Sequence, residues 1–458
     1  MRLFLLLLKI NREIISNFGI KRFIMNRIII AFFVLFMTYG LCPSINAQKL
    51  NRKEKKILET VEANNAKTIQ FLIDVVNINS GTMNHEGVKK VGDVFGKAFD
   101  EIGFKSTWYD MSEVNRSGHL FAETSGNKGK KLLLIGHLDT VFEADSPFQE
   151  FKMVNDSIAH APGGNDMKGG NVIILFALKA LYENGLLDDA QIIAAYTGDE
   201  EASGKPISIS RRDLINAAKR SDIALGFETS TGFNYATVAR RGSSGWKVEV
   251  AARRAHSSGI FRESVGAGAV FEMSRILNGF YNEVKGEEYL TFNPGIILGG
   301  TELNYDSELT KGDVFGKSNV VAQTAVVEGG LRFISEEQKE RARAKMREIA
   351  SNNLPHTSAK VSFVDSYPAM QPTEGNMALL GKLNQVSLDL GQGVVEPYDP
   401  GRRGAADVSF VAQYVDCLDG LGTMGNRAHT PEETVNLNTI EALTKRTAIL
   451  IYRLINEK

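Results

Sequence analysis

Cysteine is almost missing from these 458 residues: Cys42 and Cys417 are the only two. That excludes a disulfide framework and a thiolate zinc cluster, so any metal must be held by histidine and carboxylate. A basic surplus is missing as well. With 53 Lys and Arg against 54 Asp and Glu, the formal net charge is −1, and nothing in that balance points to a nucleic-acid partner. Internal repeats, low-complexity segments and long charge runs are absent. What remains is a globular composition, 43% hydrophobic and 23% charged, in a chain long enough to need at least two cores.

The near-zero charge averages over unlike parts. Met25-Asn26-Arg27 precedes a nearly uncharged apolar run over residues 28–41, followed by Pro43, Ser44 and Ile45-Asn46-Ala47. This reads as a secretory signal peptide with cleavage after Ala47. The run falls short of the about twenty residues that span a bilayer. That argues against the alternative, an uncleaved anchor, and against a stable membrane span in the mature chain. Met25 is a second candidate start, because residues 1–24 add another hydrophobic tract. Cys42 follows Leu41 rather than a small residue, which argues against a lipoprotein site. Cleavage would remove six of the 53 basic residues and, with Glu13, one of the 54 acidic ones, leaving 47 and 53 and a formal net charge of −6. The expected product is an exported protein, periplasmic or secreted, whose single cysteine cannot form an internal disulfide.

Apolar residues recur at helical spacing over residues 51–77 and 88–102. A short apolar run at 131–136, behind Gly126-Asn127-Lys128-Gly129, reads as a turn and a buried strand. An almost wholly apolar helix is expected over 167–182, with further buried strands at 191–196 and 222–227 and a helix near 208–220 between them. This alternation predicts an α/β fold: a mixed, mostly parallel sheet covered by helices on both faces. From about residue 235 the pattern changes. Alternation at 244–251, a helix over 264–284, strands at 295–299 and 320–334, a charged helix over 335–351 and a strand at 359–365 spell β-α-β-β-α-β, an inserted α+β ferredoxin-like unit. After Tyr367-Pro368 helix and strand return, ending in a helix over 437–456. The expected division is a leader at 1–47, a catalytic domain in two parts at 48–238 and 367–458, and an inserted lid at 239–366.

Three of the expected strands end in polar clusters, at the carboxyl edge where open α/β sheets bind ligands. Gly136-His137-Leu138-Asp139-Thr140 follows the first, Thr197-Gly198-Asp199-Glu200-Glu201 the second and Glu228-Thr229-Ser230 the third. Gly163-Gly164-Asn165-Asp166-Met167-Lys168-Gly169-Gly170 lies at a loop-to-helix junction between the first two. Taken singly, each has an ordinary explanation as a capped turn, an N-cap or a solvated loop. Together they would gather five acids and a histidine at one sheet edge with nothing to neutralise them, and crowded carboxylates resist ionisation. A pair of divalent metals removes that cost.

These four motifs resemble the dinuclear zinc peptidase family that includes glutamate carboxypeptidase, succinyl-diaminopimelate desuccinylase, acetylornithine deacetylase and aminoacylase. The likeness covers essentially the whole mature chain, and Phe227-Glu228-Thr229 with the export signal looks most like the glutamate carboxypeptidase branch. The resemblance implies two Zn2+ per subunit, with Co2+ or Mn2+ as substitutes. His137, Asp166 and Glu228 would hold one ion, and Asp166, Glu201 and His429 the other. It implies that Asp139 bonds the second nitrogen of His137 and fixes its tautomer. Glu200 would be the general base that takes a proton from a metal-activated water and passes it to the leaving amine. His256 would stabilise the oxyanion, often from the partner subunit of a homodimer formed through the lid.

Arg332, in Gly329-Gly330-Leu331-Arg332-Phe333, and Asn319 resemble the family's substrate-binding lid residues, a guanidinium being matched to a carboxylate. Two stretches depart from the pattern. Ala322-Gln323-Thr324 replaces an acid-rich turn, and Gly404-Ala405-Ala406-Asp407 stands where Gly-Gly-Ser/Thr-Asp is usual, which leaves Asp407 to position His429 or a loop. Arg402-Arg403 nearby are either solvated charges or partners for an acidic substrate. His85, His119, His160 and His356 match no motif and are expected to be surface or structural.

The expected activity is that of an exported zinc-dependent exopeptidase or amidohydrolase, glutamate-carboxypeptidase-like, which cleaves an amide next to a free carboxylate in a small peptide. One alternative is an N-acyl-amino-acid deacylase using the same centre. A remoter one is an inactive binding protein of the same fold, which would have lost Glu200 or a ligand; none is missing.

Overall fold

The computed structural model describes residues 49–457, so the leader expected over 1–47 and its cleavage site lie outside the described residues. A six-stranded sheet runs in the spatial order Lys105–Asp110, Gly118–Glu123, Ala190–Thr197, Lys128–His137, Ile223–Gly226, Asp416–Leu418. The last four are mutually parallel, and Gly118–Glu123 pairs antiparallel on both sides. Successive residues of Lys128–His137 serve two cores. Leu132 and Leu134 pack with the helices Arg52–Val76, Gly169–Glu183 and Ile440–Ile455, whereas Leu133 and Ile135 pack with Leu214 and Val411 on the other face. The part of the strand buried on both faces has no polar side to alternate with, which is why residues 132–135 are an unbroken apolar run.

The helix Gly169–Glu183 is buried almost all round and lies close to the sheet. A Cβ on Gly170 would sit 2.1 Å from the main-chain oxygen of Phe227, so only glycine permits this approach. The apolar helix begins two residues later than expected, because Asp166 and Met167 have non-helical dihedral angles.

Residues 242–365 form a second sheet with its own core. Its antiparallel order is Thr291–Gly300, Thr324–Phe333, Gly242–Ala252, Thr357–Asp365. The helices Ala269–Glu283 and Glu336–Ser351 cover one face, through Met273, Ile276, Phe280, Met346 and Ile349 against Trp246, Val248 and Val250. Several elements were not legible in the sequence. The strands Lys105–Asp110 and Gly118–Glu123 lack a clean apolar alternation, and the latter buries His119. The hairpin Glu302–Asp306 with Lys311–Phe315 is exposed along most of its length and carries no core signal.

Candidate active site

Parallel strands with flush ends bring the polar clusters together. His137 pairs with Thr197, and Ile135 with Gly226. The segments carrying His137, Glu200-Glu201 and Glu228 therefore leave the sheet at one level. Nε2 of His137 lies 3.3 Å from Asp166 Oδ1 and 3.7 Å from Glu228 Oε1. Nε2 of His429 lies 3.1 Å from Asp166 Oδ2 and 3.2 Å from Glu201 Oε2. Asp166 thus turns one oxygen to each histidine.

Two sets of three donors converge within 4.8 Å: His137 with Asp166 and Glu201, and His137 with Glu200 and Glu228. Oε1 of Glu201 is buried without a hydrogen-bond partner. Convergence alone does not separate Glu200 from Glu201, but the contact with His429 does, since it reaches Glu201. The charges are crowded. Burial, with the Asp166 charge beside it, pushes the Glu228 carboxyl up to about 8, and burial with Glu228 raises Glu200 well above the usual carboxylate range. Hydrogen bonds to Asp166 and Glu201 lift His429 to about 11. Burial works against the charged form of His137, yet Asp139, Asp166 and Glu228 outweigh it and raise the group. Four carboxylates and two imidazoles with these tendencies suit a hard or borderline divalent cation.

His429 stands 263 residues after Asp166 in the chain, and strand pairing closes that distance. Thr434–Asn436 pairs with Ile158–His160, whose continuation is the Asp166 loop. Glu433, which closes the His-then-acid stretch Arg427–Glu433 and to which the sequence assigns no role, locks the two together. Its buried carboxylate accepts from the main-chain N–H groups of Gly163 at 3.3 Å, Asn165 at 2.9 Å and Asp166 at 3.1 Å. The only hint in the sequence was an acid four residues after the histidine.

Asp139 meets the second nitrogen of His137 as expected, and does so through its main chain. Nδ1 of His137 is bonded to the main-chain oxygen of Asp139 at 3.0 Å, and the carboxylate is 3.5 Å away. That carboxylate accepts from the N–H of Glu200 at 3.0 Å, the N–H of Glu201 at 3.1 Å and the hydroxyl of Thr82 at 2.6 Å. Asp139 therefore fixes the ring through its backbone and the two glutamates through its side chain.

Beneath this loop lies a network with no single-motif signature. Arg211, fully buried, pairs with Asp199 and, through Nε at 2.7 Å, with Asp407, which also takes the hydroxyl of Thr197. Nη2 of Arg211 donates to the main-chain oxygen of Asp199 at 3.1 Å, and the hydroxyl of Tyr367 donates to that of Glu200 at 2.8 Å. Asp407 thus holds the glutamate loop and makes no bond to His429. His119 is structural: its ring meets the Ser210 carbonyl at 2.8 Å and accepts from the N–H of Gly198 at 3.0 Å.

Among the described residues no hydrogen bond or ion pair joins His256 or Asn319 to this cluster. His256 and Asn319 adjoin each other: His256 forms a bridge with Val320, and the N–H of Ser257 donates to the Asn319 carbonyl at 2.9 Å. Arg332 lies at the other end of Thr324–Phe333, opposite Ser243. A strand of ten residues places the two groups roughly 30 Å apart. Arg332 is exposed, and burial of part of its surface, with Arg241 close by, lowers its pKa.

A model described as Peptidase family M20/M25/M40 matches residues 133–453. The chain belongs to that family. Carboxypeptidase G2 of Pseudomonas sp. (strain RS-16) is 28% identical over 381 residues, covering 81% of this chain and 85% of that one. A probable succinyl-diaminopimelate desuccinylase of Staphylococcus aureus is 25% identical over 278 residues, covering 58% and 64%. Among solved structures, aminopeptidase PepT from Bacillus cereus aligns with TM-score 0.68 at 17% identity, over 85% of this chain and 99% of that one. A tripeptidase from Staphylococcus aureus gives 0.66 at 18%, over 86% and 99%. These two fix the fold, and family membership makes this M20/M25/M40 chain a metal-dependent hydrolase of peptide or amide bonds.

Proposed function

We propose that the chain is a two-zinc exopeptidase of the glutamate-carboxypeptidase kind, cleaving an amide next to a free carboxylate. The observation that carries this reading is Asp166, which shares its two oxygens between His137 and His429. His137, Asp166 and Glu228 would hold one ion, and Asp166, Glu201 and His429 the other. The bound ions would supply Lewis acidity and lower the pKa of water. Glu200, held at its N–H by Asp139 and at its carbonyl by Tyr367, would take a proton from the attacking water and hand it to the departing amine. Arg332 binds the free carboxylate of the substrate. His256, the oxyanion donor, and Asn319 come from a second copy, because about 30 Å of strand separates them from Arg332. A homodimer through the lid, in an exported protein, follows from this reading.

Glu433→Ala is expected to weaken zinc binding by about 10–100-fold, as loss of a group that orients a ligand does. Competition against a chelating dye measures it, and Glu433→Gln should keep part of the affinity. An affinity equal to wild type would mean that the Asp166 loop holds itself.

The function is tested with zinc-loaded protein on N-acyl-glutamates and dipeptides ending in glutamate, compared with N-acetyl and N-succinyl derivatives of neutral amino acids. The glutamate compounds should be cleaved faster, and chelation should abolish turnover until zinc is restored. Faster cleavage of the neutral N-acetyl compounds would favour an N-acyl-amino-acid deacylase. Full activity with well under two ions per chain would overturn the dinuclear assignment.

A further inference from the structure

Arg403 is a cation without an anion. Its Nη2 donates to the main-chain oxygen of Thr229 at 3.0 Å, the residue after Glu228. Its Nε is buried with no hydrogen-bond partner, and among the described residues no carboxylate forms an ion pair with it. The other two arginines deep in this edge are matched: Arg211 by Asp199 and Asp407, Arg240 by Asp419. Burial and the neighbouring Arg240 lower the Arg403 pKa to about 10, which leaves it charged at neutral pH. The remaining charges that act on it are Asp419, already taken by Arg240, and Glu228 and Asp166 of the zinc-binding set.

The loop that carries Arg403 is clamped on both sides. Nη1 of Arg240 donates to the Gly404 carbonyl at 2.9 Å, and Nη2 of Arg241 to the Gly401 carbonyl at 3.0 Å. Arg402, the other member of the doublet, is exposed and stacks 5.4 Å from the ring centre of Tyr398. Of the two, Arg403 reaches the catalytic edge, through the Thr229 carbonyl, from the stretch where this chain departs from the Gly-Gly-Ser/Thr-Asp pattern. A partly desolvated guanidinium with no ion-pair partner and a like charge beside it gains more from a carboxylate than an exposed one does, because less water competes for the fork.

We infer that Arg403 binds a second acidic group of the substrate, so that the preferred substrates are dicarboxylates with one carboxylate beside the amide and one on the side chain. This rests on the hydrolase reading of the same edge and assigns the residue that selects an acidic side chain. The test is calorimetric titration of the zinc-loaded full chain with glutarate and with pentanoate, which carry two carboxylates and one. Wild type should bind glutarate at least tenfold more tightly, and R403Q should bring the two within threefold by weakening glutarate alone. R403K keeps the charge and loses the fork, so glutarate should weaken three- to tenfold with pentanoate unchanged; this variant decides the matter if R403Q does not fold. In kinetics, R403Q should raise KM for N-acyl-glutamate at least tenfold, change kcat less than threefold and leave N-acyl-glutamine as it was. Equal binding of the two acids by wild type, or a glutarate preference that survives in both variants, would overturn the inference. Absence of turnover on every amide would overturn the hydrolase reading alone, since the glutarate comparison is read without catalysis.

Discussion

Glu200→Ala is expected to lower kcat by about 10²–10⁴-fold, the usual contribution of a general base, with zinc content at the wild-type level. The side chain of Glu200 points among the convergent donors, within 4.8 Å of the nearest atoms of His137 and Glu228, but makes no contact with His429. Its main chain is fixed at both ends, by Asp139 and by Tyr367, so truncation leaves the loop in place. Burial and the neighbouring Glu228 raise its pKa, the direction that suits a group which must accept a proton and return it. Glu201→Ala is the contrasting variant: it removes an oxygen 3.2 Å from His429 and should cost metal as well as turnover. Atomic absorption on each variant separates the two roles. Unchanged turnover in Glu200→Ala would sink the mechanism, and loss of zinc there would make Glu200 a ligand.

Arg211→Met is expected to destabilise the protein by about 3–5 kcal/mol, because it leaves two buried carboxylates without their cation. Asp199 and Asp407 are both within a few per cent of complete burial, and the Arg211 cation helps to hold Asp199 below its ordinary pKa although burial opposes this. The loss should be measured by urea denaturation in the presence of zinc. Adding Asp407→Asn to Arg211→Met should cost less than the sum of the two single changes, since one of the stranded charges is removed with its partner. A loss below about 1 kcal/mol would mean that water enters and solvates the pair. Activity should fall too, because the same guanidinium holds the carbonyl of Asp199, one residue before the proposed base.

Much of the site was legible because its chemistry sits at strand ends. An apolar run that stops at His137, at Thr197 or just before Glu228 announces both a buried strand and the polar edge that follows it. Asp407 was legible as a residue that positions His429 or a loop, and His119 as surface or structural, but the partners of neither were. Their partners, Arg211 for one and the Gly198 N–H for the other, are met by packing across the sheet, which leaves no periodicity to read. The bond from Asp139 to the second nitrogen of His137 is legible from spacing, but only the fold shows that the main-chain oxygen makes it, the carboxylate being engaged by two N–H groups and Thr82.

The shortage of cysteine settled in advance that any metal here would be held by histidine and carboxylate, and the order of apolar runs settled that they would gather at one edge of a mostly parallel sheet. Those properties are local, fixed by residue type and by the alternation of strand and helix. What the tertiary structure alone decided is who meets whom across long stretches of chain. Pairing of Thr434–Asn436 with Ile158–His160 delivers His429 and Glu433 to Asp166. The length of Thr324–Phe333 keeps Arg332 from His256, and the packing of the 399–404 loop leaves Arg403 facing the edge without an anion. These are non-local closures, and their energies come from buried contacts that no window of sequence contains.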